Sequence, residues 1–192
     1  MVDLKELHKY FILQHLSEGD TAVDFTMGNG NDTLFLSRTV GETGRVYAFD
    51  IQPLALESTE RFLKSESAPE NYTLICASHH RVKEFVDGPI KAGMFNLGYL
   101  PGSGKKAVTT MRETTMPAVE AAIDLLAPDG VLIVAIYPGH EEGALEGEML
   151  REYFATLSKY RICPSEFRIL NSPTSPYFFL VEKSPKAPPV SN

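Results

Sequence analysis

The sequence predicts an α/β fold: a mostly parallel, seven-stranded, doubly wound sheet with helices on both faces and an antiparallel terminal strand. Three observations predict it. Thr21–Met27 (TAVDFTM) is a short β-forming run, broken by Gly28-Asn29-Gly30 and followed by a helical stretch carrying Leu34, Phe35 and Leu36. Arg45–Phe49 is a second such run and ends at Asp50, so strand, glycine turn, helix and strand follow one another directly. Val131–Ile136 (VLIVAI) is apolar throughout, as a strand covered on both faces should be.

The other elements follow in order. Leu4, Leu7, Phe11, Ile12 and Leu16 recur at helical spacing, so residues 2–17 read as a lead-in helix. Asn31 or Asp32 is a candidate cap for the helix after the glycine turn, and Gly41 and Gly44 end that helix. Pro53 suits the first turn of a helix running to Lys64. Tyr72–Ala77 is a third strand, and residues 81–85 form a short helix. Met94-Phe95 end a buried fourth strand. Residues 114–126 form a helix, Ala127-Pro-Asp-Gly130 a turn, and 143–160 a long amphipathic helix. Residues 167–170 and 177–182 are the last two strands. The chain is expected to be one domain over residues 1–183, with a Pro-rich disordered tail over 184–192.

Composition narrows the function. A net charge of −7 argues against broad electrostatic binding of nucleic acid, although an acidic body can carry a local basic patch. Cys76 and Cys163 lie in apolar surroundings without metal-ligand spacing and are expected to be reduced core thiols. Neither a signal peptide nor an apolar run of membrane length is evident, which points to the cytoplasm. His79 and His80 are adjacent but lack a convincing third ligand, so no metal is expected.

The first motif binds a ligand at the carboxyl edge of the sheet. Gly28 and Gly30 let the backbone approach it closely. The following helix start offers free N–H groups. Asp50 stands where an acid bonds ribose hydroxyls. A dinucleotide loop prefers G-x-G-x-x-G, and the third glycine is replaced by Thr33. The order Asp24-Phe-Thr26-Met-Gly28-Asn-Gly30 instead resembles the D-x-G-x-G-x-G loop of class I S-adenosylmethionine (SAM) methyltransferases, with Thr26 in place of the first glycine.

The second motif is Asn96-Leu97-Gly98-Tyr99, leaving the fourth strand at the same edge. It resembles the [DN]-P-P-[YF] signature of amino-directed methyltransferases, with Leu97 and Gly98 replacing the prolines. An amine attacking a sulfonium methyl must turn its lone pair to the carbon, and the Asn96 amide oxygen can accept its hydrogens. Tyr99 can stack on a planar base. Lys105, Lys106 and Arg112 make a small positive cluster beside this edge, suited to an RNA backbone. Gln52 can reach the adenosine, Ser78 and His79 the adenine or ribose, and His80 the substrate. His80 and Asp32 are the candidates for taking the amine's proton.

Taken together, DFTMGNGNDTLFL, VYAFDIQPLAL, SHH, FNLGYLPGSGKK and TTMRETT closely resemble the MnmM (YtqB-like) methyltransferases over residues 3–183. Ser103 and Gly104 depart from the usual loop pattern of that family. The resemblance implies a SAM-dependent enzyme that methylates 5-aminomethyl-2-thiouridine at the tRNA wobble position. It further implies that Asn29, Asn31, Asp32 and Thr33 surround the methionine part of SAM, and that Asp50 and Gln52 hold the ribose. Ser78 and His79 would take the adenine side. Asn96, Gly98 and Tyr99 would form the amine and base pocket, and Lys105, Lys106 and Arg112 would meet the anticodon arm. A homodimer would help a small acidic domain grip that arm. The alternatives are an amine methyltransferase acting on rRNA or a small molecule, an NAD-dependent oxidoreductase, and a binding module without catalysis.

Overall fold

The computed structural model describes residues 3–98, 110–139 and 141–186. Its strands are β1 (Thr21–Asp24), β2 (Arg45–Asp50), β3 (Tyr72–Cys76), β4 (Ile90–Leu97), β5 (Leu126–Ile136), β6 (Ile162–Phe167) and β7 (Tyr177–Lys183). They form one sheet in the order β3-β2-β1-β4-β5-β7-β6. β3, β2, β1, β4 and β5 are mutually parallel, and β7 is antiparallel to both β5 and β6.

Alternation of side chains along the strands builds two cores. Ala22, Val46, Ala92, Met94 and Ile133 face Ile12 and Leu16, at and beyond the end of α1 (Leu4–Leu13), and Leu36 and Val40 of α2 (Asn31–Val40). Val23, Phe25, Phe95, Leu132 and Val134 face α4 (Arg112–Leu125) and α5 (Glu141–Thr156). α3 (Pro53–Ser65) places Ala55 in a smaller cluster with Met27 and Ala48. Phe25 and Phe95 stack with ring centroids 4.0 Å apart and planes within 5°. That stack lies where β1 and β4 end, so it fixes the two strand ends that carry the candidate site.

Several boundaries differ from the sequence reading. α1 is shorter than 2–17, because the chain turns after Leu13 and Ser17 N–H donates to Asp20. Gly30, not Asn31 or Asp32, caps α2; it sits at φ 85°, and no side chain caps the helix. The short helix is a 3₁₀ turn over His79–Glu84. α4 and α5 begin about two residues earlier than expected. The expected turn at 127–130 is the irregular start of β5. Asp129 there takes φ 59°, and the register with β4 shifts between Ile90 and Ala92.

The penultimate strand is displaced from the expected 167–170 to 162–167, and Leu170 is almost fully exposed. Pro164 hid it: proline is tolerated there because β6 is an edge strand. Both cysteines are free and exposed rather than core residues. Of the expected tail, residues 184–186 are described and 187–192 lie outside the described residues.

Candidate active site

The sheet order changes direction at β1, whose neighbours are β2 and β4. The carboxyl ends of these strands therefore open a crevice at a topological switch point, where ligands bind in this architecture. The glycine turn runs along it. Gly28 and Gly30 take φ 52° and 85°, left-handed conformations that favour glycine. Gly30 also rests on α3, since a Cβ there would lie 3.0 Å from Thr59 Cγ2. Thr59 Oγ1 donates to the Gly28 carbonyl at 3.1 Å, and Ser58 Oγ donates to Asn29 Oδ1 at 3.2 Å. Neither α3 residue stood out in the sequence; only folding brings them under the turn.

Three acids gather at these strand ends. Asp24 is fully buried and accepts from Thr26 N–H at 3.1 Å and from the Thr33 hydroxyl at 2.6 Å. Thr33 thus fills with a useful side chain the position where a dinucleotide loop needs glycine. Burial and the nearby Asp32 charge push Asp24 up to about 7. Asp50 accepts from Gly28 N–H at 3.2 Å and Gln52 N–H at 2.9 Å, joining the glycine turn to the start of α3. Burial raises its pKa as well. Gln52 caps α3 through its backbone, and its side chain makes no cap hydrogen bond.

The third acid connects to the second motif. Asn96 Nδ2 donates to Asp32 Oδ2 at 2.6 Å, and the Tyr137 hydroxyl donates to Asn96 Oδ1 at 3.2 Å. The Asn96 backbone N–H donates to Thr26 Oγ1 at 2.7 Å, extending the β1–β4 ladder through a side chain. Thr26 therefore has a job that the first glycine of the generic loop could not do. Tyr137 was missed in the sequence. It lies at the end of β5, one residue past the Leu97–Ile136 pair, and its ring lies against Gly98.

Other expected site residues separate from this cluster. His79 turns inward: it is buried, its Nδ1 lies 3.3 Å from the Phe25 carbonyl, and its ring meets Phe95 edge-on. Burial lowers its pKa to about 4, so it is neutral at pH 7. His79 is thus packed into the core through its Nδ1 and ring, and its Nε2 is buried without a hydrogen-bond partner among the described residues. His80 is exposed and bonded to Ser78 Oγ at 2.8 Å, with no bond to Asn96 or Asp32.

Arg112 is partly exposed and paired, its Nε donating to Glu142 at 3.0 Å. Glu146, one helical turn along α5, is fully buried and accepts from the hydroxyls of Thr110 and Thr115. These two acids anchor the start of α4, a role the sequence did not signal. Tyr99, Lys105 and Lys106 lie outside the described residues. Among the described residues, no group of three or more His, Cys, Asp or Glu residues could hold a metal, and no helix is long and apolar enough to cross a membrane.

A family model described as putative rRNA methylase matches residues 46–183. The chain belongs to that family. Among solved structures, one described as a putative rRNA-methylase from Clostridium thermocellum is 37% identical and superposes with a TM-score of 0.91, covering 95% of this chain and 98% of that one. A putative methyltransferase from Streptococcus mutans, solved in complex with S-adenosylhomocysteine (SAH), is 34% identical with a TM-score of 0.86, covering 95% and 99%. The chloroplastic tRNA (mnm(5)s(2)U34)-methyltransferase of Arabidopsis thaliana is 36% identical over 180 residues, which is 88% of this chain. The chain spans 65% of that relative's length. The fold is that of the class I methyltransferases, a mixed seven-stranded sheet with antiparallel terminal strands.

The residues of the crevice fit SAM. Its acids suit a cationic donor, and the repulsion between Asp24 and Asp32 is what a cation would relieve. The same acids disfavour a pyrophosphate, and with Thr33 they set the dinucleotide alternative aside.

Proposed function

We propose that this chain is a SAM-dependent N-methyltransferase that converts 5-aminomethyl-2-thiouridine to 5-methylaminomethyl-2-thiouridine at the wobble position of tRNA. The observation that carries it is the Asn96 amide, fixed between Asp32 and Tyr137 beside the glycine turn. The name of the Arabidopsis relative supports the choice of nucleoside. Gly28, Asn29, Gly30, Asn31, Asp32 and Thr33 would hold the methionine part of SAM, Asp50 and Gln52 the ribose, and Ser78 the adenine side. When bound, SAM supplies a sulfonium methyl: the amine lone pair forms the N–C bond as the C–S electron pair stays with sulfur.

The chain's own task is placement. The Asn96 amide oxygen accepts an amine hydrogen and so directs the lone pair away from itself. Fixing the reacting groups in line is worth on the order of 7–11 kcal/mol. The acceptor nitrogen must be neutral, and after transfer its extra proton leaves to solvent or to Asp32, the acid bonded to Asn96. Tyr99, Lys105 and Lys106 keep the roles that the family resemblance implies. Residues 1–183 act as one catalytic domain in the cytoplasm, with the tRNA anticodon arm as partner and pairing of two copies as the way to widen the grip.

Nucleoside mass spectrometry on tRNA from cells lacking the protein tests this. Accumulated 5-aminomethyl-2-thiouridine, converted by the purified protein and SAM, is expected. Unchanged wobble nucleosides would refute the acceptor. The family's description favours rRNA as the second reading, and the same analysis of rRNA nucleosides distinguishes it.

A further inference from the structure

The Asn96 amide is held at both ends. The amide nitrogen faces the Asp32 carboxyl, Nδ2 donating to Oδ2 at 2.6 Å. The oxygen then faces the Tyr137 hydroxyl at 3.2 Å. Turning the amide over would set its oxygen against a carboxylate, which is repulsive. An amide oxygen has two lone pairs, and Tyr137 takes one. One remains for an incoming N–H.

We propose that Tyr137 is a positioning residue of the methyl transfer: its hydroxyl stops the Asn96 side chain from swinging about Asp32 and so aims the remaining Oδ1 lone pair at the acceptor amine. This rests on the reading of Asn96 as the group that receives the amine. Three features of the fold support it. The parallel pairing of β4 with β5 sets Asn96 opposite Ala135, which brings Tyr137 over Gly98. The Phe25–Phe95 stack and the Thr26 bond to the Asn96 backbone leave the side-chain torsions as the freedom still to be fixed. Burial keeps the phenol protonated at neutral pH, so it remains a donor.

The test compares Tyr137→Phe, Asn96→Ala and the double variant in the full chain, using tRNA that carries 5-aminomethyl-2-thiouridine. Tyr137→Phe keeps the ring against Gly98 and removes only the donor. Its single-turnover rate is expected to fall about tenfold, with SAM affinity and the KM for tRNA unchanged within about twofold. Asn96→Ala is expected to lose about a hundredfold or more, and the double variant to be no slower than Asn96→Ala, since Tyr137 acts through the amide. In the apo protein, exchange of the Asn96 side-chain NH₂ protons, followed by NMR, is expected to quicken in Tyr137→Phe; a purely packing role would not move it selectively. A wild-type rate in Tyr137→Phe, or additive losses in the double variant, overturns the proposal while the role of Asn96 stands. A wild-type rate in Asn96→Ala overturns the role of Asn96 and the proposal with it.

Discussion

Replacing Asp24 with Asn should change how stability depends on pH more than it changes stability itself. Asp24 is fully buried, and its folded pKa is raised from 3.8 to about 7 by burial first and by Asp32 second. A carboxyl whose pKa rises on folding contributes stability while it is protonated. That contribution is complete below pH 3.8 and is lost as pH rises through 7. At 1.36 kcal/mol per pH unit, the interval from 3.8 to about 7 corresponds to about 4 kcal/mol.

Asparagine cannot ionise, so Asp24→Asn removes this pH dependence. Its oxygen can keep the Thr26 N–H, and its NH₂ can donate to Thr33 once that hydroxyl rotates to accept. Near pH 4 the apo variant should therefore be within about 1–2 kcal/mol of wild type, the scale of one altered buried hydrogen bond. Between pH 4 and pH 8 the difference should shift in favour of the variant by up to about 4 kcal/mol. Urea unfolding of both apo proteins across this range reads Asp24 together with its coupling to Asp32, because the distant carboxylates titrate alike in both. A constant offset from pH 4 to pH 8 would refute the assignment of a buried, high-pKa acid at this position.

Gly30→Ala combines a left-handed φ with contact against Thr59, including its Cα at 3.2 Å; SAM affinity should fall at least tenfold by calorimetry, and an unaltered affinity would show that the turn tolerates a shift away from α3. Gly147→Ala improves helix propensity by about 1 kcal/mol. Its Cβ would collide with the hydroxyl of buried Tyr177, and overpacking costs about 1–3 kcal/mol. Net destabilisation is therefore expected in thermal unfolding, and a raised melting temperature would contradict it. Glu146→Ala leaves the Thr110 and Thr115 hydroxyls without their acceptor. A loss of about 1–3 kcal/mol in urea unfolding follows, and a change below about 0.5 kcal/mol would show that water replaces the carboxylate.

Residues that are near in sequence and tied to a turn were the legible part of this chain. The glycine turn, Asp24, Asp50 and Asn96 were readable because strand ends, turn residues and acids fall in a fixed order along one βαβ unit. The apolar run of β5 was readable for the same reason. Tyr137 was not, because it meets Asn96 only through pairing of β4 with β5, and nothing local to Tyr137-Pro-Gly139 marks it. Thr59 and Ser58 look like ordinary polar positions of an amphipathic helix until the glycine turn is laid on them. The burial of His79 was not legible either: its place after a strand suggested ligand contact, and only the fold shows the 3₁₀ turn carrying its Nδ1 to the Phe25 carbonyl. β6 was displaced because local apolar character pointed to 167–170, whereas pairing with β7 selected 162–167.

The three acids at the switch point explain why this crevice suits a cation and why its other parts are arranged as they are. Carboxylates gathered at one end of a sheet repel one another, and the raised pKa of Asp24 is the mark of that repulsion together with burial. The fold offsets part of it with donors: Thr26 N–H and Thr33 on Asp24, Gly28 and Gln52 N–H on Asp50, and the Asn96 amide on Asp32. Most of these donors are themselves part of the glycine turn or of the acceptor edge. Holding the acids and shaping the site are therefore one task, and a change that removes one of these donors must also loosen the turn or the amide. The Asp32–Asn96 bond is where this coupling reaches the chemistry. On the proposed function, a positive charge entering beside Asp32 would act on the same carboxylate that holds the Asn96 amide, so donor binding and acceptor alignment would be linked through one hydrogen bond.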